Sequence, residues 1–549
     1  MVYIRSIESV FTPHASLRAA VWLLVSFIVL GACTSQPASE NRSYLLAEGK
    51  RPNILFVISD DQSYPHASVY GEDWVQTPAF DRIAKEGVLF TQAYTASPGC
   101  SPSRAAILTG LNCWQLEDAG THASAFPNQY KVYPDVLETL GYHVGFTQKG
   151  WGPGNWEISG RTRNPAGKPY QSQKLTALTS GISQNDYAAN FLDFLEDRQE
   201  DQPFCFWFGP AEPHRVFEEG SGLASGKDPF AVNVPGFLPD TPEIRSDLLD
   251  YALEIEWYDQ HLGKMLAHLE AIGELDNTLI VVTSDNGMAF PRAKANMYEH
   301  GIHVPLAIRW GNWVKPGRVD EGLVSLIDLA PTFLEAAMGE EFKEYQAENP
   351  VEGRSLIGRL LNKGLSTQQD PTRAVFSSRE RHSSSRWNNV GYPQRAMRIG
   401  NFLYIRNFKP ERWPAGAPQK FEADGSLGPE HGGYHDIDAC PTLDFLIDNR
   451  DDPEFGFYFY LAVDRRPEEE FFDVAKDPYC LQNLAVDPAF KKELEKARTD
   501  MEFYLRETGD PRMTAEGEVF ESYIRYSPIR TFPEPDWAKH PTSFDLKPN

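Results

Sequence analysis

Two continuous apolar runs stand out along the chain: Ile54-Leu55-Phe56-Val57-Ile58 and Thr278-Leu279-Ile280-Val281-Val282-Thr283. A strand that is apolar at successive positions has both faces covered, which points to a parallel sheet flanked by helices. The first run ends in Ser59-Asp60-Asp61 and the second in Ser284-Asp285-Asn286-Gly287. In open, mostly parallel sheets ligands sit outside the carboxyl ends of the strands, so two acidic ends in one sheet would meet over one crevice. Between the runs, Pro242 to Ile272 is apolar at helical spacing through Leu248, Leu249, Ala252, Leu253, Ile255, Leu262 and Leu266, and Gly273 stops it. Strands alternating with such helices predict an α/β core with a large mixed, mostly parallel sheet.

Near residue 370 the texture changes to short strand-like pieces. Ala396 to Asn407 alternates and turns at Gly400-Asn401, which predicts a hairpin. The expected organisation is a catalytic domain over 51–370, a smaller C-terminal α+β domain over 371–509, and an extended tail over 510–549. At the N-terminus Arg5 and Arg18 lead into the apolar run Ala19 to Leu30, which is short for a membrane span and ends in Leu30-Gly31-Ala32-Cys33. Residues 1–32 therefore read as a secretory signal and 33–50 as a polar tether. The Leu-Gly-Ala-Cys ending resembles the lipobox of bacterial lipoproteins. That resemblance implies a lipidated Cys33 and anchorage to a membrane of the bacterial cell envelope, facing the outer membrane or periplasm; a plain cleaved signal is the alternative.

Charge changes the picture further. With 52 Lys+Arg against 77 Asp+Glu the formal net charge is -25, which argues against nucleic acid as a partner and leaves any anionic substrate to be met by local basic residues. Of the six cysteines, Cys113, Cys205, Cys440 and Cys480 remain after Cys33 and Cys100 are set aside. A Cys440–Cys480 disulfide and buried free thiols are both open.

The candidate chemistry centres on Cys100. Pro102 early in a short helical run places Cys100 at a helix N-terminus, where free backbone N–H groups and the dipole favour an anion. Asp60, Asp61, Asp285 and Asn286 offer only hard oxygen ligands, which select calcium or magnesium over zinc. Such a cation neutralises anionic oxygens and lowers the pKa of a neighbouring nucleophile. Arg104 falls one helical turn after Cys100 on the same face.

The run Cys100-Ser101-Pro102-Ser103-Arg104-Ala105-Ala106-Ile107-Leu108-Thr109-Gly110 resembles the signature of the formylglycine-dependent sulfatases of the alkaline-phosphatase-like superfamily. The resemblance implies that a maturation enzyme oxidises Cys100 to formylglycine (3-oxoalanine), whose hydrate attacks the sulfur of a sulfate ester. It implies one Ca2+ bound by Asp60, Asp61, Asp285, Asn286 and residue 100, with Arg104 reaching the nucleophile or a sulfate oxygen. Lys149, in Lys149-Gly150-Trp151, matches the lysine of the family's Lys-x-His element, with Trp151 where the histidine is expected. His214, in Ala211-Glu212-Pro213-His214, matches the last histidine of His-x-Pro-His and is a candidate general acid, with Ala211 in place of the first. Lys294, nine residues after Asp285, matches the second sulfate-binding lysine, and Tyr298 to Pro305 resembles the segment that follows it.

The resemblance spans Arg51 to Pro305, and Glu470-Phe471-Phe472-Asp473 through Asn483-Leu484 resembles the family's late element. Phe290-Pro291-Arg292-Ala293-Lys294 and Tyr392-Pro393-Gln394-Arg395 look closest to the heparan N-sulfatase branch and its bacterial polysaccharide-degrading relatives. A sulfated carbohydrate of ulvan, carrageenan or heparan type is the substrate this implies, as an ester or an N-sulfate. Arg379-Glu380-Arg381-His382, with Arg386, Trp387, Arg395, Arg398, Arg406 and Arg412, reads either as a sugar subsite, with Arg381 and His382 as preferred contacts, or as a strand surface whose arginines pair with acids. Two rival functions stand beside the sulfatase: a phosphoester or phosphonoester hydrolase on the same scaffold, and a non-catalytic surface protein that captures sulfated glycans.

Overall fold

The computed structural model describes residues 50–539 apart from 312, 362–369, 371 and 515; the signal, Cys33 and nearly all of the tether lie outside the described residues. Nine strands form the first sheet: β1 (Asn53–Ser59), β2 (Val88–Tyr94), β3 (His143–Gln148), β4 (Lys168–Pro169), β5 (Phe204–Gly209), β6 (Thr278–Ser284), β7 (His303–Trp310), β8 (Arg318–Asp320) and β9 (Val324–Ser325). Their order is β4-β3-β5-β1-β6-β7-β2-β8, with β9 also pairing with β2. β7 is antiparallel to β6 and to β2, and the other pairings are parallel.

The alternation within β1 divides the core. Ile54, Phe56 and Ile58 join one hydrophobic cluster, packed with residues of the helices Cys100–Thr109, Tyr133–Thr139 and Leu329–Met338. Leu55 and Val57 join another, with residues of Pro78–Glu86, Tyr187–Glu196 and Pro242–Ala271. Each such side chain contributes about 1.5–3 kcal/mol on full burial, so both faces of β1 are committed and its polar residues are left for its end. The long helix runs Pro242–Ala271, one residue short of the predicted end.

The second sheet is antiparallel in the order β10 (Ala374–Arg379), β11 (Gln394–Ile399), β12 (Phe402–Asn407) and β13 (Glu469–Asp473). Ile399 pairs with Phe402 across the expected turn, where Gly400 takes the positive φ of 52° that glycine adopts without strain. This sheet is tied to the first just ahead of Cys100: Ser378 N donates to Ala96 O at 2.8 Å and Ser377 Oγ to Thr95 O at 2.5 Å. Beyond residue 509 the chain is more than an extended strap. It forms short helical turns at Pro511–Met513 and Val519–Ser522, and it buries Phe520 and Phe532.

Candidate active site

Parallel pairing of β1 with β6 runs in register to its end, Ser59 opposite Ser284, so Asp60-Asp61 and Asp285-Asn286 emerge side by side. Asp61 takes a positive φ of 74°, a conformation that aspartate tolerates better than most side chains. Its N–H donates to Asp285 Oδ1 at 3.1 Å, and Asn286 Nδ2 donates to Asp61 Oδ1 at 2.8 Å. Gly287 permits the next turn: a Cβ there would stand 1.8 Å from the His300 carbonyl oxygen.

Cys100 opens the helix Cys100–Thr109, all ten residues of which are buried, and is itself 1% exposed. Ser103 Oγ donates to the Asp285 carbonyl at 2.6 Å, which fixes this helix to the end of β6. Atoms of Asp60, Asp61 and Cys100 lie close enough together to share one metal ion. Asp60 Oδ1 and Asn286 Oδ1 are buried without hydrogen-bond partners. An orphaned buried acceptor costs about 1–3 kcal/mol, and two of them among hard oxygen donors fit a hard divalent cation.

Arg104 is fully buried and faces this acidic cluster. Its Nε donates to Asp285 Oδ2 at 2.7 Å and its Nη1 to the carbonyls of Lys149 and Gly150 at 2.8 and 3.1 Å, while Nη2 lies 3.9 Å from Asp60 Oδ1 with no hydrogen bond. Lys149 Nζ sits 2.6 Å from Asp60 Oδ2, and Lys294 Nζ 2.6 Å from Asp61 Oδ2 and 3.0 Å from Asp438 Oδ2. Arg292 and Ala295, at φ 67° and 62°, bend the backbone on either side of Lys294.

Burial would lift the Asp60 carboxyl, but Lys149, His214, Arg104 and Lys294 together hold it far below the usual range. Burial would likewise lower Lys294, but Asp438 and Asp61 keep it well above its ordinary value. Asp285 is pushed up to about 6 by burial, against the attraction of Arg104. The Cys100 thiol is pushed far up by burial, so an unmodified Cys100 is a poor nucleophile.

His214 Nδ1 lies 2.6 Å from the Arg215 carbonyl, to which it must donate, and its Nε2 faces Asp61 Oδ2 at 3.8 Å. The His214 side chain is 36% exposed, so Nε2 borders both the acids and solvent. A bidentate Arg215–Asp247 pair at 2.7 and 2.8 Å, with Arg215 also stacked on Phe217 and Phe290, fixes the loop. Trp151 fills no pocket position: it is 3% exposed, and its Nε1 donates to the Ser101 carbonyl at 3.0 Å.

The arginine-rich segment resolves largely into ion pairs. Arg379 and Arg386 share Asp436 at 2.6 and 2.7 Å, Arg395 pairs with Asp510 and Glu380, Arg398 with Glu299, Arg406 with Glu502, and Arg412 with Glu521. As a sugar subsite those six are thereby corrected to scaffold, because their charge is already spent on neighbouring acids. His382 does reach the site: its Nδ1 lies 2.9 Å from where a Gly99 Cβ would be. Arg381 donates to Tyr523 O and Ser124 Oγ, both at 2.8 Å. Cys113, Cys205, Cys440 and Cys480 are buried free thiols, which decides against the Cys440–Cys480 disulfide.

Two neighbours of the site were not singled out by the sequence. Asp438 partners Lys294 from a loop with no motif around it, in His435-Asp436-Ile437-Asp438. His122 packs against His382 with ring centroids 4.7 Å apart, and its loop reaches the Cys100 helix through Ala123 N to Ser101 Oγ at 3.1 Å. Only the long-range fold brings either residue here.

Comparison with known proteins agrees with this geometry. The sulfatase family model matches residues 52–340. N-sulphoglucosamine sulphohydrolase of Homo sapiens is 27% identical over 544 residues, covering 90% of this chain and 95% of its own. An ulvan-active sulfatase of Formosa agariphila is 26% identical over 500 residues, covering 86% and 77%. A solved structure in complex with its substrate D-glucosamine-2-N,6-O-disulfate shares the fold with a TM-score of 0.59 at 21% identity, covering 84% of this chain and 99% of that one. A phosphonate monoester hydrolase from Silicibacter pomeroyi superposes with a TM-score of 0.54 at 18% identity, covering 84% and 93%. With the acidic strand ends, the buried Cys100 helix and a family match over more than half its length, this chain belongs to the sulfatase family and is a sulfuric ester hydrolase.

Proposed function

We propose that this protein is a calcium- and formylglycine-dependent sulfatase acting on a sulfated carbohydrate of heparan, ulvan or carrageenan type. We further assign it to the bacterial envelope as a lipoprotein anchored through Cys33. The observation that carries the catalytic reading is the convergence of Asp60, Asp61, Asp285 and Asn286 on the buried N-terminus of the Cys100 helix, with Lys149 and Lys294 on the two leading carboxylates. The carbohydrate is supported by the names of the relatives, which act on sulfoglucosamine and ulvan.

Asp60, Asp61, Asp285, Asn286 and residue 100 would hold the calcium ion, which supplies charge neutralisation for sulfate oxygens and acidifies the converted residue 100. Lys149 and Lys294 bind and orient the sulfate anion between them, and their charge is held by the acids beside them. Arg104 positions Asp285 and the Lys149 loop together. His214 faces the leaving oxygen or nitrogen with Nε2. Because Nδ1 keeps its proton on the Arg215 carbonyl, His214 donates from Nε2 only as imidazolium. Arg381 and His382 border the sugar.

The test is sulfate release by calcium-loaded protein whose residue 100 is confirmed as formylglycine by mass, across heparan, ulvan and carrageenan oligosaccharides. Release from one class is expected and names the substrate. Dominant phosphate release from matched aryl esters would favour the phosphoester reading, which shares this fold. Binding of sulfated glycans without turnover by the matured protein would favour glycan capture.

A further inference from the structure

Three arginines around His382 differ from the paired arginines of the same region. Arg381, Arg525 and Arg530 make no ion pair with any described carboxylate. Arg381 is 2% exposed and spends Nη1 and Nη2 on Tyr523 O and Ser124 Oγ. Arg525 gives Nη1 to the His382 carbonyl at 3.2 Å, and Arg530 gives Nη1 to the Ser384 carbonyl at 3.2 Å. The Nε atoms of Arg381 and Arg525 are buried without any hydrogen-bond partner. The acids within electrostatic reach do not pair with these three: Asp436 is held by Arg379 and Arg386, Glu521 by Arg412, and Asp118 makes no ion pair among the described residues.

The C-terminal segment creates this arrangement. Tyr523, Arg525, Tyr526 and Arg530 alternate contacts with Arg381, His382, Ala123 and Ser384, the Tyr526 N–H donating to Ala123 O at 2.6 Å. Ala123 N donates to Ser101 Oγ, and the His382 ring occupies the space a Gly99 Cβ would need, so the cluster adjoins the Cys100 helix. Burial, with repulsion from Arg381 and Arg530 added to it, pulls Arg525 down to about 10. Uncompensated guanidinium groups held together in a chain of net charge -25 call for an anion from outside the chain.

We infer that Arg381, Arg525 and Arg530 form a second anion subsite beside the sulfate pocket, which takes a further sulfate or a uronate carboxylate of the same glycan. This rests on the sulfated-carbohydrate reading above and narrows it to substrates with two anionic groups. Guanidinium forks suit either oxyanion.

The test uses full-length protein carrying Cys100→Ala, titrated calorimetrically with glucosamine N-sulfate, glucosamine N,6-O-disulfate and a uronate-linked glucosamine N-sulfate disaccharide. Arg525→Gln is expected to weaken at least one doubly anionic ligand tenfold or more beyond its effect on the singly sulfated sugar, and Arg525→Lys to recover most of that loss. The ligand that loses affinity tells whether the second anion is sulfate or carboxylate. Equal loss on all three, no loss, or no binding of any of them overturns the subsite. A purely structural role for Arg525 would show as equal loss with a lowered melting temperature. Sulfate release by the matured wild-type protein judges the sulfatase reading separately, so the two can fail independently.

Discussion

Trp151 Nε1 donates to the backbone carbonyl of Ser101 at 3.0 Å, so the residue standing where the family resemblance places a histidine supports the Cys100 helix. Its ring also packs edge-on against Phe126 at 5.1 Å. The indole is scaffold, and on this side Lys149 is the side chain that reaches the acidic strand end.

Trp151→Ala is therefore expected to act on stability. Removing a buried indole costs about 3–5 kcal/mol, read as a lower melting temperature. Trp151→Phe keeps most of the packing and loses one hydrogen bond, about 1 kcal/mol. A larger effect on turnover per folded molecule than on melting would show the indole to be a substrate contact.

Lys294→Ala removes the cation shared by Asp61 and Asp438. Loss of one preorganised charge at the sulfate is expected to lower kcat/KM by about two to three orders of magnitude. Steady-state sulfate release with calcium at saturation checks this, and a fall below tenfold contradicts the assignment.

Asp285→Ala strands Arg104, whose Nε contact at 2.7 Å is its only close ion pair among the described residues. An uncompensated buried charge costs about 3–5 kcal/mol. Chelation of the wild type is expected to abolish turnover and lower the melting temperature, with recovery on added calcium. Unchanged melting after verified metal removal would count against a structural cation at the acidic strand ends.

Glu254 has two buried oxygens without partners, and burial, then Glu212 and Asp250, push it up to about 9. An unfolded chain ionises this group near about 4.3, so between those values the folded state holds the extra proton and loses stability as pH rises. Glu254→Gln keeps the neutral shape and removes the titration. It is expected to raise the melting temperature more at pH 8 than at pH 5, and an equal gain at both would contradict a neutral buried Glu254.

The four buried thiols predict a simple mass result. Unfolded without reductant, the protein is expected to take up alkyl groups at Cys113, Cys205, Cys440 and Cys480. In the native state these four are expected to resist alkylation, being buried. A mass two units low with two unmodified cysteines would reveal a disulfide.

The local pattern of residues was enough for the two buried strands, the acids at their ends, the long helix, the Gly400 hairpin and the helix that Cys100 opens. Each of these rests on short-range rules: apolar continuity, helical spacing, and proline and glycine punctuation. Neither the orphaned oxygens of Asp60 and Asn286 nor the orientation of Arg104 toward Asp285 could be read that way, because both depend on the level register of β1 and β6. The arginines after residue 378 show the limit most clearly. In sequence they form one basic cluster, and only the fold sorts them by which is in ion-pair contact with a described carboxylate: Arg379, Arg386 and Arg395 are, whereas Arg381 is not. Asp438, His122 and Arg525 arrive at the site from segments far apart in the chain. The sequence by itself determined the strand ends and the helix on which the candidate reactive residues stand, because these are written in local pattern. The tertiary structure decided which charges are neutralised and which remain for a substrate, because ion pairing depends on distances that only long-range packing sets.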